Sequence, residues 1–260
     1  MKSSILLGSL LLGQSSAHYL FGRLILEGKW TKTWEYVREV SPEDSDYVYK
    51  MVAPMIDPSN IEIRCGRNAT PAQSPVKTAT IHAGDTVGFA AGEPYLIYDE
   101  KPWIYHPGPV SAWLSKSTTD DLDAYKGDGD WFKILSVTNR TEQSMDFSLP
   151  ENARLYDKDK ADWGAWMLDS YNFTIPKTTP PGKYLLRFES IYPQQRDAQW
   201  FVNCAQVEII NTDVEVGTPG PLVKIPGIYT HGQPDLYFEY WDSNVNVSTY
   251  VPPAPVVWSG

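Results

Sequence analysis

Sulfur and imidazole are scarce in this chain: its 260 residues contain two cysteines and four histidines. The sequence has no HExxH pair, no CxxC pair, no GxSxG turn and no phosphate-binding glycine loop. Those absences set aside the common zinc hydrolases, the thiol redox proteins, the α/β-hydrolases and the P-loop NTPases. Acidic residues are plentiful, yet none stands at a spacing that argues for a paired-carboxylate glycosidase. Basic residues are few, with 22 Lys and Arg against 32 Asp and Glu and a net charge of −10. Such a surface repels a nucleic-acid backbone or an anionic lipid, and remains compatible with neutral polymers such as polysaccharides.

No segment approaches the roughly 20 apolar residues needed to span a bilayer. The nearest is Ile5 to Gly13, which follows Lys2 and ends in Ser15-Ser16-Ala17. A cationic start, a short apolar middle and small residues at the end form a secretory signal, read here over residues 1–17 in preference to a buried first helix. Cleavage after Ala17 leaves His18 as the first residue of a domain running to residue 260. In an oxidising compartment Cys65 and Cys204 are expected to pair rather than remain two free thiols. Asn-x-Ser/Thr sequons at Asn68, Asn139, Asn172 and Asn246 fit a secreted glycoprotein.

Helical periodicity is also missing, and 21 prolines oppose long helices. Short apolar runs separated by Pro, Gly, Asn and Asp clusters predict an all-β sandwich. Strands are expected at Thr78–His82, Thr86–Phe89, Val110–Leu114, Gly182–Glu189 and Ala198–Ile210. Two long irregular loops are expected, at about 28–60 and 115–166, where a rigid sandwich usually carries its function. Ten Trp and sixteen Tyr exceed what a core of this size requires, and some are expected to form flat surfaces for stacking on sugars.

Histidine carries the sharpest chemical signal. An amino-terminal His18 offers one metal both its α-amine and its ring Nδ1. A second imidazole completes three nitrogens, a set that suits Cu(II). His106, in the rigid run Trp103-Ile-Tyr-His-Pro-Gly-Pro109, is the candidate partner. His82 reads as a strand-end residue and His231 as part of an exposed loop.

A series of short motifs then runs in order along the chain. It comprises Ala17-His18-Tyr19, Trp34-Glu-Tyr-Val-Arg38, Ile63-Arg-Cys65, Ala83-Gly-Asp-Thr-Val-Gly-Phe89, His106-Pro-Gly-Pro109 and Trp131-Phe-Lys-Ile134. Phe173-Thr-Ile-Pro176, Gly182-Lys-Tyr-Leu-Leu-Arg187, Gln199 to Gln206, Pro219 to Val223, Ile225-Pro-Gly227 and Trp258-Ser-Gly260 follow. Together they resemble the lytic polysaccharide monooxygenases of auxiliary activity family nine, once glycoside hydrolase family sixty-one. The resemblance implies an immunoglobulin-like antiparallel β-sandwich with long surface loops. It implies one copper ion on His18 and His106, with a secreted monomer as the working unit. Cellulose or another β-1,4-glucan would be cleaved oxidatively at C1 or C4. The partners would be that polysaccharide, an external electron donor and dioxygen or hydrogen peroxide, with no nucleic acid and no membrane.

The same resemblance gives Gln199 the place that positions the oxygen co-substrate, pairs Cys65 with Cys204, and makes Tyr250 a surface ring for sugar stacking. Two departures stand out. Phe201 occupies the axial position where the family usually has tyrosine. The histidine that the family carries shortly before the glutamine is missing, so Gln194 or Gln195 is left to fill that space and Arg196 to stabilise a developing anion. An imidazole transfers protons near neutral pH and an amide does not. That loss keeps a second reading open, a non-catalytic copper- or glycan-binding member of the same fold.

Overall fold

The computed structural model describes residues 18–40, 51–92, 103–153, 162–212, 215–242 and 244–260. The expected signal segment 1–17 lies outside them, as do 41–50 of the first expected loop and 154–161 of the second. Among the described residues nine strands follow in order: β1 Arg23–Leu26, β2 Lys29–Trp30, β3 Ala79–His82, β4 Thr86–Ala90, β5 Val110–Lys116, β6 Phe132–Val137, β7 Ser170–Thr174, β8 Gly182–Tyr192 and β9 Gln199–Ile210. They form a four-stranded sheet, β2-β1-β4-β7, and a five-stranded sheet, β3-β9-β8-β5-β6. The all-β sandwich expected from the sequence is therefore present. Each of the five expected strands is found, with β5, β8 and β9 the longest.

Three differences have physical causes. The second expected loop contains β6, whose Phe132 and Ile134 enter the core; surrounding acidic turns hid its short apolar run. β1, β2 and β7 are two to five residues long, too short for alternation to declare itself. Pairing is not antiparallel throughout, because β3 runs parallel to β9, with Ala79 opposite Val207.

The two sheets close on a core rich in aromatic rings. Phe188 of β8 stacks with Phe89 of β4 at 5.1 Å and meets Phe21 edge-on at 4.7 Å. Alternation in the strands sends Tyr184, Leu186 and Phe188 to this core and Leu185, Arg187 and Glu189 to the other face. That other face is buried too, by residues 51–69 and 225–237. Coverage on both faces explains why β5, β8 and β9 do not alternate cleanly between apolar and polar residues, and why Ser111, Arg187, Glu189, Asn203 and Gln206 are buried among their apolar neighbours. The Cys65–Cys204 disulfide ties this covering layer to β9 across 139 residues. A closed loop of that length stabilises the fold by about 5 kcal/mol in the chain-entropy model.

Beneath the covering layer lies a fully enclosed ion pair. Arg187 and Glu189 are both 0% exposed, with Nη2 and Oε2 at 2.6 Å. Glu189 Oε1 accepts from Ser111 Oγ, Trp113 Nε1 and Tyr229 Oη. The Arg187 guanidinium donates to the carbonyls of Ile63 and Arg64, beside the disulfide.

Candidate metal centre

The amino-terminal segment and the β4–β5 connection meet at one end of the sandwich. Residues 18–22 are fixed by their backbone: Phe21 N–H donates to Asn203 Oδ1 at 2.8 Å, and Gly92 N–H to Leu20 O at 2.7 Å. The turn carrying His106 is held on three sides. Ile104 N–H donates to Leu168 O, Trp166 Nε1 to Tyr105 O, and Ile191 N–H to Pro109 O. Gly108, at φ +153, passes so close to Ile191 that a Cβ there would run into its carbonyl oxygen. A glycine is required at this position.

His18 and His106 thereby face each other with ring centroids 6.4 Å apart. With metal–nitrogen bonds of about 2 Å, two imidazoles on opposite sides of one ion have centroids roughly 6–6.5 Å apart. His106 Nε2 is buried and has no hydrogen-bond partner. A buried nitrogen left without a partner is costly in an apolar setting, and a metal ion would satisfy it. Burial and the nearby His18 together depress the His106 pKa to about 3. Burial also lowers His18. Both shifts favour the neutral form that binds metal. Among the described residues no three His, Cys, Asp or Glu side chains cluster, so the third nitrogen would have to be the α-amine of His18.

Phe201 of β9 lies under the pair, 5.5 Å from His106 and 6.3 Å from His18. It is stacked on Tyr19 at 4.2 Å, and the Tyr19 hydroxyl donates to Ser190 Oγ. The expected axial position thus presents an apolar ring. Gln199, two residues earlier, has its Oε1 buried without a partner. His18, His106 and Phe201 lie within 6.4 Å of one another by ring centroid, and Gln199 is paired across the β8–β9 hairpin with Tyr192, whose ring stacks on His106.

Other expected residues do not join them. Arg196 is corrected: its side chain is 95% exposed and reaches only Asp197, at 3.9 Å, because it sits in the β8–β9 turn, where solvent hydrates a guanidinium better than the site would. Tyr250 is corrected as well. It packs on Trp163 at 5.1 Å and Phe238 at 5.8 Å and donates its hydroxyl to Asp235 O, so it is a packed loop aromatic rather than a free surface ring. Gln194 is half-buried in the β8–β9 turn. Gln195 is exposed, as are His82 and His231. Of the sequons, Asn139 and Asn246 are exposed, while Asn68 and Asn172 are half-buried.

Sequence reasoning missed an aromatic series that starts on the candidate ligand. Tyr192 stacks on His106 at 4.2 Å, Tyr240 lies 5.4 Å from Tyr192, and Trp241 lies 5.0 Å from Tyr240. Trp241 is 48% exposed and gives the site an apolar ring at the surface. The adjacent Tyr-Trp pair was the available signal, but nothing in its spacing linked it to His106.

Fold and site define a β-sandwich protein with two facing histidines at one end, His18 and the His106 of a proline-framed turn. The model of Auxiliary Activity family 9 (formerly GH61) matches residues 18–250, and the chain belongs to that family of copper-dependent lytic polysaccharide monooxygenases, oxidative enzymes acting on polysaccharide with an electron donor and an oxygen co-substrate. Among curated relatives, AA9 family lytic polysaccharide monooxygenase U of Thermothielavioides terrestris is 35% identical, covering 98% of this chain and 97% of its own. Monooxygenase C of Emericella nidulans is 32% identical over the full length of both. Two solved structures share the fold: a cellulose-active polysaccharide monooxygenase from M. thermophila (TM-score 0.66, 23% identity, 94% of this chain and 100% of that one) and the extended catalytic domain of H. jecorina LPMO9A (TM-score 0.66, 20% identity, 94% and 92%). No described helix is long and apolar enough to cross a membrane.

Proposed function

We propose that removal of residues 1–17 exposes His18 as the amino terminus, and that the mature chain, residues 18–260, is a secreted monomer. One copper ion is held by the α-amine and imidazole of His18 and the imidazole of His106. The substrate is cellulose or another β-1,4-glucan, cleaved oxidatively at C1 or C4. The observation that most supports this reading is the facing pair of imidazoles, with His106 Nε2 buried and unpartnered.

Copper, when bound, supplies the one-electron chemistry by which dioxygen or hydrogen peroxide becomes able to attack a sugar C–H bond. The protein's residues do the rest. Burial keeps His106 neutral and ready to bind. Phe201 closes the inner side against water. Gln199 Oε1 is available to accept a hydrogen bond from the co-substrate. Trp241, with Tyr240 beside it, offers a face on which a sugar ring stacks, a role taken from Tyr250 by its packing. Exposed Asn139 and Asn246 suit glycan attachment.

The test uses copper-loaded protein beginning at His18, with ascorbate and peroxide, on cellulose, xyloglucan, glucomannan and xylan, with products read by mass spectrometry. Oxidised oligosaccharides that disappear in His106→Ala are expected, and their masses identify the substrate and the carbon attacked. Tight copper binding with no oxidised product on any polymer would instead favour the non-catalytic reading.

A further inference from the structure

A metal-binding imidazole needs its ring orientation fixed. The torsion that turns the ring about its attachment is broad and two-fold, and a ligating histidine is ordinarily held through a hydrogen bond from its second nitrogen. Around His106 the most intimate contact is of another kind. Tyr192, the last residue of β8, lies face to face with the imidazole at 4.2 Å, the planes only 10° apart. Tyr105 meets the same ring edge-on at 5.4 Å and 88°.

The phenol is itself anchored at its far end. Tyr240 backs it there, with the two ring centroids 5.4 Å apart and the planes tilted by 56°. Tyr240 in turn rests against Trp166 at 6.5 Å, and Trp166 Nε1 is bonded to the Tyr105 carbonyl, directly before His106. The ring of Tyr192 is 9% exposed, so it also seals one face of the imidazole from water. Register adds a further link: Tyr192 is paired across the hairpin with Gln199, so the two sit side by side at the mouth of the site.

We infer that Tyr192 is the positioning residue for the His106 ligand, acting through its stacked ring, with Tyr240 packed behind it. This rests on the reading of His18 and His106 as copper ligands. Stacking is the interaction that sets the plane of His106, and contact with Tyr240 supports the plane of Tyr192.

The experiment compares copper(II) spin-resonance spectra and copper affinity by calorimetry in protein beginning at His18, for the wild type, Tyr192→Phe and Tyr192→Leu. Tyr192→Leu is expected to weaken copper binding by about 10- to 100-fold, the range for losing an outer partner of a ligand, and to change the spectrum. Tyr192→Phe, which keeps the stacked ring, should recover most of the affinity. Wild-type affinity and spectrum in Tyr192→Leu would overturn the proposal. A second readout separates this from failure of the copper reading. In metal-free protein, NMR should show the His106 ring protons shifted upfield by the Tyr192 ring, and the shift lost in Tyr192→Leu. A wild type that binds no copper but shows that shift would reject the ligand assignment while confirming the stack; absence of the shift would reject the stack itself.

Discussion

Replacing Glu189 with glutamine removes one charge from a pair that has no solvent. Oε1 could keep its three donors, from Ser111, Trp113 and Tyr229. The new amide would then point its N–H groups at Arg187 Nη2, which now donates to Oε2 at 2.6 Å. Arg187, 0% exposed, would be left as a buried cation facing a donor. Breaking one partner of such a pair costs about 3–5 kcal/mol, a large share of the roughly 5–15 kcal/mol that holds a domain folded. At 2–4 °C per kcal/mol for a domain of this size, the midpoint should fall by roughly 10 °C. Guanidinium unfolding followed by tryptophan fluorescence measures the loss directly. The acid limb provides a second check. Burial opposes ionisation of Glu189, but Arg187 and the three donors outweigh it and hold the carboxyl below its ordinary value of 4.5. A depressed folded pKa means the contribution is fully present above about pH 4.5 and is lost as pH falls through the folded value. Wild-type and Glu189→Gln stabilities should therefore draw together as pH falls below 4.5. The double variant Arg187→Met/Glu189→Leu should cost about 2–3 kcal/mol less than the two single losses added together. A Glu189→Gln loss under about 1 kcal/mol, or strict additivity, would refute the account of this network.

Other expectations concern the metal centre and the tail. Gly108→Ala forces a Cβ against the Ile191 carbonyl, so the His106 turn must shift; copper affinity by calorimetry and the melting temperature should both fall. Phe201→Tyr puts a hydroxyl on the ring lying 5.5 Å from His106 and 6.3 Å from His18, which should alter the copper spectrum but leave loading at one ion. Lys133 is held at about 8 against an ordinary 10.5, by burial, while its Nζ donates to Pro253 O. A lowered folded pKa means the unfolded chain binds the extra proton, so this group's contribution rises with pH between about 8 and 10.5. Stability measured from pH 8 to 10 should therefore favour the wild type over Lys133→Met increasingly, by about 2 kcal/mol in all.

Much of the fold was legible because the physics behind it is local. β5, β8 and β9 announced themselves as apolar-rich runs between Gly and Pro breakers, since a strand covered on both faces is largely apolar on both. β6 carried the same kind of run, but the acidic turns around it disguised the strand as loop. The parallel β3–β9 pairing left no trace, because a register between segments more than a hundred residues apart is set by packing and not by either segment.

The candidate site divides along the same line. By itself the sequence determined that His18 follows a signal-like segment, that His106 sits in a backbone stiffened by two prolines, and that two cysteines had only each other to join. Residue identity and chain chemistry decide those points. Only the tertiary structure decided that Arg196 stands in solvent, that Tyr250 spends its hydroxyl on Asp235, that Trp241 is the exposed ring, and that Tyr192 lies on His106. An aromatic residue is equally suited to a core, a surface platform or a stack on a ligand. Which of these it becomes depends on what other strands and loops place beside it, and that is fixed by the closing of the two sheets.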